Sequence, residues 1–293
     1  MTVRPSTFSI VGFDAETGDL GVAVASKFLA VGAVVSWARA GVGAVATQSY
    51  ANTVFGPRGL DLMALGLGAE DTLKHLLEAD PDRELRQVGV VDARGGAATF
   101  TGSGCHEWAG GRTGPGYAVQ GNILVGPQVV DAMAEAFEKT RGSLAARLLA
   151  ALAAGDEAGG DRRGRQSAAL LVVRPGGGYG GGSDRLVDLR VDDHVQPVRE
   201  LQRLYDVWRL YFEPSPDAVR LPLEGDTLRE VQEIMKALGH YDGPAHGQLD
   251  EATRRAYAAM IGNENFEERI PMDADWIDSE VLAYLRQRAG LGS

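Results

Sequence analysis

Hydrophobic and polar positions alternate at the start of the chain in two short runs that turn-forming residues separate. The runs TFSIVGF (7–13) and LGVAVAS (20–26) flank DAETGD, whose Asp, Thr and Gly favour a turn, so a β-hairpin is predicted here. Most later strand candidates are nearly continuous in small apolar residues, which is typical of sheets covered on both faces. These strands are predicted over 42–48, 86–92, 116–122, 167–174 and 185–191.

Apolar residues spaced three and four apart predict helices between these strands. The helices are predicted over 57–66, 69–80, 127–140, 143–155 and, as one long helix, 195–212. Pro57 and Pro127 stand where a first helical turn tolerates proline. The order of strands and helical pairs indicates an α+β fold with two sheets face to face and helices outside, a four-layer αββα sandwich.

The pattern changes after about residue 212. The segment 212–226 carries three prolines and no sustained period, so a linker is predicted over 213–222. It separates a first domain over 1–212 from a small all-α C-terminal domain over 223–293. Helices in this second domain are predicted over 226–239, 250–262 and 278–288, and each begins with an aspartate suited to an N-cap.

Composition narrows the classes of function. Hydrophobic residues make up 44% of the 293 residues and charged residues 24%, as in ordinary globular proteins. We expect a cytoplasmic protein with no membrane partner, since the N-terminus lacks a secretory signal and the one cysteine cannot form an internal disulfide. The formal net charge of −11, without a basic run, argues against nucleic acid as a partner. Assembly into a homo-oligomer is left open.

Several segments of the first predicted domain resemble one protein family. Members of the largely bacterial family catalogued as domain of unknown function 1028 carry segments similar to TFSIVGFDAETGDLGVAVASKFLAVG, GAVATQSYAN, GPGYAVQGNILVG, GGDRRGRQSAALLVV and DLRVDDH. The resemblance covers roughly residues 6–212. That family is placed with the N-terminal nucleophile (Ntn) hydrolases, so the resemblance implies the same αββα sandwich that the element order predicts.

A second resemblance covers the predicted C-terminal domain. The segment 227–262 is similar to peptidoglycan-binding modules at Val231, Gln232, Leu238, Gly239, Tyr241, Gly243, Gly247, Asp250 and Thr253. The chain departs from the usual module after Ala256, where it continues to NENFEERI and a third helix. This resemblance implies contact with a glycan or another protein.

The first resemblance gives Thr7 a candidate catalytic role. An Ntn hydrolase uses the free α-amine of its first residue as the base for that residue's own hydroxyl, and Thr7 leads the first predicted strand. In this superfamily a basic side chain about twenty to thirty residues later lowers the proton affinity of the amine, and Lys27 and Arg39 lie in that window. Because six residues precede Thr7, an internal cut is required. Without the cut, the chain is catalytically silent or uses other chemistry.

Polar residues at strand entrances are the candidates for substrate binding. The segment GGDRRGRQSAAL (159–170) offers Asp161, Arg163, Gln166 and Ser167 before an apolar strand, and arginine can hold a carboxylate with two hydrogen bonds. It lacks the residue order of a nucleotide-binding loop. Three amide residues elsewhere are candidates to orient a substrate or complete an oxyanion hole: Gln48, Asn52 and Asn122.

Other reactive residues carry weaker signals. Cys105, His106 and Glu107 are adjacent in sequence, but adjacent residues seldom face each other, so a surface or half-buried cysteine is the favoured interpretation. The five histidines show no zinc-ligand spacing, and neither a metal nor a cofactor is predicted. Two function classes follow. The first is an amide hydrolase acting on a small amide, ureido compound or short peptide, and the second is a non-catalytic binding or scaffold protein.

Overall fold

The computed structural model describes residues 7–214 and 217–291, so the predicted cut between Ser6 and Thr7 falls outside the described residues. The chain divides into two compact units between Arg203 and Leu204. Within the described ranges, no helix has both the length and the apolar character that crossing a membrane requires.

The first unit contains two antiparallel sheets. The six-stranded sheet has the order β10-β9-β2-β1-β8-β7 and the four-stranded sheet has the order β3-β4-β5-β6. The strands are β1 Thr7–Phe13, β2 Leu20–Ser26, β3 Ser36–Arg39, β4 Gly43–Ser49, β5 Arg86–Asp92, β6 Ala97–Thr101, β7 Gly110–Gly114, β8 Tyr117–Asn122, β9 Ser167–Val173 and β10 Arg185–Val191.

Helices cover the outer faces of both sheets. Apolar side chains of two helices form one buried cluster with Val45 and Val88 of the four-stranded sheet. Another helix packs on the six-stranded sheet so closely that Leu144 and Leu148 would contact a side chain at Gly12. The helices of this unit are α1 Gly32–Val35, α2 Phe55–Ala64, α3 Ala69–Glu78, α4 Gln128–Lys139, α5 Leu144–Glu157 and α6 Pro197–Phe212, the last of which extends into the second unit.

The predicted α+β class with antiparallel sheets is confirmed, and the predicted hairpin strands match β1 and β2 at both ends. Three strands, β3, β6 and β7, were missing from the prediction. They contain four or five residues each, and most of their side chains are only partly buried. A strand this short carries too few alternating positions for periodicity to identify it.

The second unit is largely helical, as predicted. Its elements are β11 Arg220–Pro222, α7 Gly225–Ala237, α8 Glu251–Asn263, β12 Trp276–Asp278 and α9 Ser279–Arg288. The segment predicted as a linker therefore includes β11, which pairs with β12. Asp250 and Asp278 cap α8 and α9 as predicted. The capping role predicted for Asp226 is wrong, because α7 begins earlier and Glu224 occupies its N-cap position.

Candidate functional site

A row of polar residues crosses the middle of the six-stranded sheet at one end. Thr7 pairs with Ser26 on one side and with Asn122 on the other, and Ser26 pairs in turn with Ser167. Residues directly opposite in antiparallel strands project on the same face. These four side chains are therefore neighbours, and each of the four residues is at most 2% exposed.

This polar row faces polar residues of the other sheet. Gln48 pairs with Gln87, and Gln87 with Thr101, at the matching end of the four-stranded sheet. Farther along the same strands, the interior between the sheets becomes apolar and contains Val11, Val22, Val24, Ala44, Ala46 and Val91. The space between the sheets is thus polar at one end and hydrophobic at the other.

Hydrogen bonds join the two sheets across the polar end. Gln87 Oε1 accepts from Gln48 Nε2 at 2.9 Å and from Asn122 Nδ2 at 2.8 Å. Ser9 donates to Gln48 Oε1 at 2.6 Å and accepts from Gln120 Nε2 at 2.7 Å. The side-chain amide groups of Gln48 and Asn122 thus donate hydrogen bonds within the protein. Orientation of a substrate by Gln48 and an oxyanion-hole amide at Asn122 stay predictions.

Thr7 stands at the centre of this arrangement. Its hydroxyl donates to Ser26 Oγ at 3.2 Å, and its carbonyl oxygen accepts from Gln48 Nε2 at 3.2 Å. Thr7 is only 2% exposed. The interactions on both sides hold the residue in one orientation at the head of β1.

Asp161 joins the end of β2 to the loop before β9. Its carboxylate accepts from the backbone N–H of Lys27 at 2.7 Å and of Arg163 at 2.9 Å. The Arg163 guanidinium forms an ion pair with the same carboxylate at 2.9 Å. The Asp161 side chain is 1% exposed. These contacts fix the loop beside Ser26, and the substrate-binding role of Asp161 and Arg163 stays a prediction.

Gln166 and Ser167 also organise the backbone near Thr7. The backbone N–H of Gln166 donates to Ser26 O, and its side chain donates to Asp193. The Ser167 hydroxyl donates to the carbonyl of Phe28 and accepts from Val31 N at 3.1 Å. These contacts secure the loop that follows β2. Ser167 is completely buried and supports the site from within, and its substrate-binding role stays a prediction.

The structure places Arg39 away from Thr7, whereas Lys27 directly follows Ser26, the strand partner of Thr7, and its catalytic role stays a prediction. The exposed Lys27 ammonium donates to Arg165 O at 3.4 Å. Arg39 pairs with Gly43, five residues along β4 from Gln48, which corresponds to roughly 17 Å of extended strand. Its guanidinium forms an ion pair with Asp61 at 3.0 Å. Spacing along the sequence does not predict proximity here because β3 runs toward the apolar end.

Asn52, also predicted to orient substrate, belongs to a separate cluster. Its amide donates to Asp80 Oδ2 at 2.9 Å, and Arg86 forms an ion pair with the same carboxylate at 2.8 Å. The hydrogen bond from Arg86, helped by that from Asn52, lowers the pKa of Asp80 to about 2. Asp80 therefore stabilises the loops that precede β5 and follow β4.

Replacing Asp80 by asparagine tests this cluster. Because the folded pKa is lowered, the stabilisation is present above about pH 4 and is lost as the pH falls toward about 2, and it amounts to about 2 kcal/mol. Asp80→Asn should lower the free energy of unfolding by about this amount at pH 7. It should also reduce the loss of that free energy between about pH 4 and pH 2, and urea unfolding at several pH values measures both effects. The exposed neighbour Asp82 provides the control Asp82→Asn. Equal effects of both variants would contradict the assignment.

Strained backbone positions surround the polar end. Among the described residues of the first unit, three that are not glycine have positive φ angles: Ala30 at 52°, Ser49 at 68° and Ile123 at 51°. Ser49 directly follows Gln48, and Ile123 directly follows Asn122. A left-handed conformation is unfavourable for a β-branched residue, and such strain is concentrated at functional sites.

A small cavity lies next to the row. Its volume is about 70 Å³, and Ser26, Asp161 and Arg165 are among the residues that line it. It can hold about two water molecules.

Cys105 lies at the same end and is buried rather than at the surface. It is 9% exposed, its thiol donates to Arg86 O at 3.3 Å, and burial raises its pKa. The His106 ring contacts Tyr50. In the part of the chain that the structure describes, no group of three or more His, Cys, Asp or Glu side chains is arranged to bind a metal ion.

Sequence reasoning missed most of the polar interior. Ser9, Gln87, Gln120 and Thr101 were not proposed, and Ser26 was not proposed as a site residue. A usable signal existed: each is a hydroxyl or amide side chain within a predominantly apolar strand, where an unpaired polar group would be unfavourable.

Together these features define an α/β sandwich protein with a polar site around Thr7 at one end of its sheets. The chain belongs to the family of unknown function DUF1028, whose model matches residues 7–201. Residues 211–285 match the model described as "Putative peptidoglycan binding domain". The crystal structure of protein SPO2555 from Silicibacter pomeroyi, a member of DUF1028, is 33% identical, with a TM-score of 0.64 over 76% of this chain and 92% of that one. No curated protein matches.

Proposed function

We propose that this chain is an amide hydrolase whose nucleophile is the Thr7 hydroxyl. The observation that carries the proposal is the polar row centred on Thr7 and buried between the sheets. The apolar end demonstrates that valine and alanine can fill this interface. Because burying polar groups is less favourable than apolar packing, stability alone does not account for the polar end. The proposed substrate is a small amide, a ureido compound or a short peptide, with no cofactor.

The proposed reaction requires Thr7 to be the first residue. Its Oγ1 would form a bond to the substrate carbonyl carbon while its α-amine accepts the hydroxyl proton. The C–N bond then breaks, the leaving nitrogen takes that proton, and water hydrolyses the resulting ester. Ser26, which accepts the hydrogen bond of the Thr7 hydroxyl, orients the nucleophile.

Trimming the chain tests this requirement. While a residue precedes Thr7, its nitrogen is an amide whose delocalised lone pair cannot act as a base. A protein made to begin Met-Thr-Phe, from which methionine is removed, should hydrolyse at least one member of a panel of small amides, and the full-length chain with a verified intact N-terminus should not. Equal turnover by both proteins would disprove the mechanism.

We propose a second function, contact with peptidoglycan, for the second unit, on the basis of its match to a peptidoglycan-binding model. Most motif positions support its fold: Gln232, Val231 and Thr253 are completely buried, and Gln232 donates to Thr253 at 3.0 Å. The full chain should sediment with purified peptidoglycan sacculi and be released by soluble muropeptides. Equal sedimentation with cellulose would count against specific recognition.

A further inference from the structure

A groove runs along β6, which is an edge of the four-stranded sheet. Its volume is about 670 Å³, which is within the usual range for ligand sites. One wall is the α3 helix, with Leu73, Lys74 and Leu77, and the other side includes Thr113 of β7. The groove is distinct from the small cavity beside Ser26 and is not used in the proposed hydrolysis.

The hydrogen bonds of β6 show which backbone groups face the groove. Gly102 N donates to Arg86 O, and Asp92 N donates to Gly96 O, so hydrogen-bonded pairs with β5 occur at Gly96 and Gly102. Because hydrogen-bonded pairs alternate with non-hydrogen-bonded pairs along an antiparallel ladder, the backbone groups of Ala98 and Phe100 also form their hydrogen bonds with β5. The backbone N–H and C=O groups of the three intervening residues therefore face outward: Ala97, Thr99 and Thr101.

The composition of β6 leaves this edge open to pairing. Its sequence, AATFT, contains neither a charged residue nor proline. Proteins normally protect edge strands with such residues, and the other edges in this unit carry them: Arg39 in β3, Arg112 in β7, and Arg185 in β10. An unprotected edge at the base of a groove is the arrangement that accepts an added strand.

Charges along the groove differ between its two ends. Glu70 lies near the Ala97 end, because the adjacent Ala69 N donates to Asp92, which ends β5. At the Thr101 end Arg83, which begins the turn that leads into β5, lies with Glu78 at the end of α3 and also pairs with Glu84 at 3.8 Å. A bound chain with a basic group at the Ala97 end would therefore complement this distribution.

We propose that this groove binds an extended peptide of about five residues as an additional strand on β6. The main chain of the peptide pairs with Ala97, Thr99 and Thr101, its apolar side chains contact Leu73 and Leu77, and its basic end lies beside Glu70. A second copy of this chain would bring its own α3 and β7 to the same edge, so a free peptide is the better match.

Two fluorescein-labelled, amidated heptapeptides test the proposal in either strand direction: Lys-Thr-Val-Thr-Val-Thr-Thr and its reversed-order isomer, in both of which the lysine and the two valines project on the same face of the strand. Fluorescence polarisation with the full chain should show saturable binding of at least one. N-methylation of alternate amides in that peptide should weaken binding at least roughly tenfold, because the outward-facing hydrogen bonds are lost. Amide resonances of Ala97, Thr99 and Thr101 should shift on binding.

Matched charge variants locate the binding site. Glu70→Lys should weaken binding of the lysine-containing peptide about fivefold, whereas Asp71→Lys, on the same helix but outside the groove, should not. Absence of binding by both peptides, unchanged affinity after N-methylation, or equal effects of both variants would overturn the proposal. So would a stable dimer in light scattering that Ala97→Pro converts to a monomer, since the occupant would then be a second copy.

Discussion

Replacing Thr7 by alanine in the chain that begins at Thr7 is expected to lower kcat for the best amide of the panel by roughly 10⁴-fold or more. Alanine keeps the α-amine and removes the hydroxyl, so this variant tests the nucleophile while the base stays in place. Thr7→Ser keeps both groups and should retain activity within about tenfold. Initial rates at saturating substrate, with circular dichroism to verify folding, give the comparison.

Ser26→Ala serves as the graded control for the same experiment. It removes the acceptor of the Thr7 hydroxyl at 3.2 Å but leaves the nucleophile in place, so a decrease of roughly tenfold is expected. If Thr7→Ala retained the activity of the unsubstituted trimmed protein, Thr7 would not be the nucleophile. The search would then turn first to Asp161, Arg163 and Gln166.

Gln87→Leu is expected to destabilise the first unit by about 4 kcal/mol. Gln87 accepts from Gln48 and Asn122, and its Nε2 donates to Gly121 O at 2.8 Å. Leucine has a similar size but no hydrogen-bonding groups, so several buried polar groups would lose their partner at once. Urea unfolding followed by near-ultraviolet circular dichroism measures the change in midpoint.

The exposed Gln196 of the same unit provides the matched control. Gln196→Leu makes the same chemical change at the surface and should alter the free energy of unfolding by less than about 0.5 kcal/mol. A loss below about 1 kcal/mol for Gln87→Leu would mean that the polar interior contributes little to holding the sheets together. Thr7 would then need another source of rigid positioning.

In both units, residues that match a family pattern support the fold. In the second unit, Gln232 and Thr253 match the peptidoglycan-binding pattern because they are buried and build the fold. In the first unit, Asp161 lies in the family segment for a similar reason, since it anchors the backbone of Lys27. A motif position thus identifies the fold with more certainty than it identifies a ligand contact.

The sequence by itself determined the longer strands, the main helices, the family and the position of Thr7 at the head of β1, because each depends on neighbouring residues or on contiguous segments. Local alternation predicts β1 and β2 without any tertiary contact. Only the tertiary structure decided which residues surround Thr7. Strand register placed Asn122 beside it although the two residues are far apart in sequence, and the direction of β3 took Arg39 away from it. Register depends on pairing between distant segments, and periodicity within one segment contains no information about that pairing.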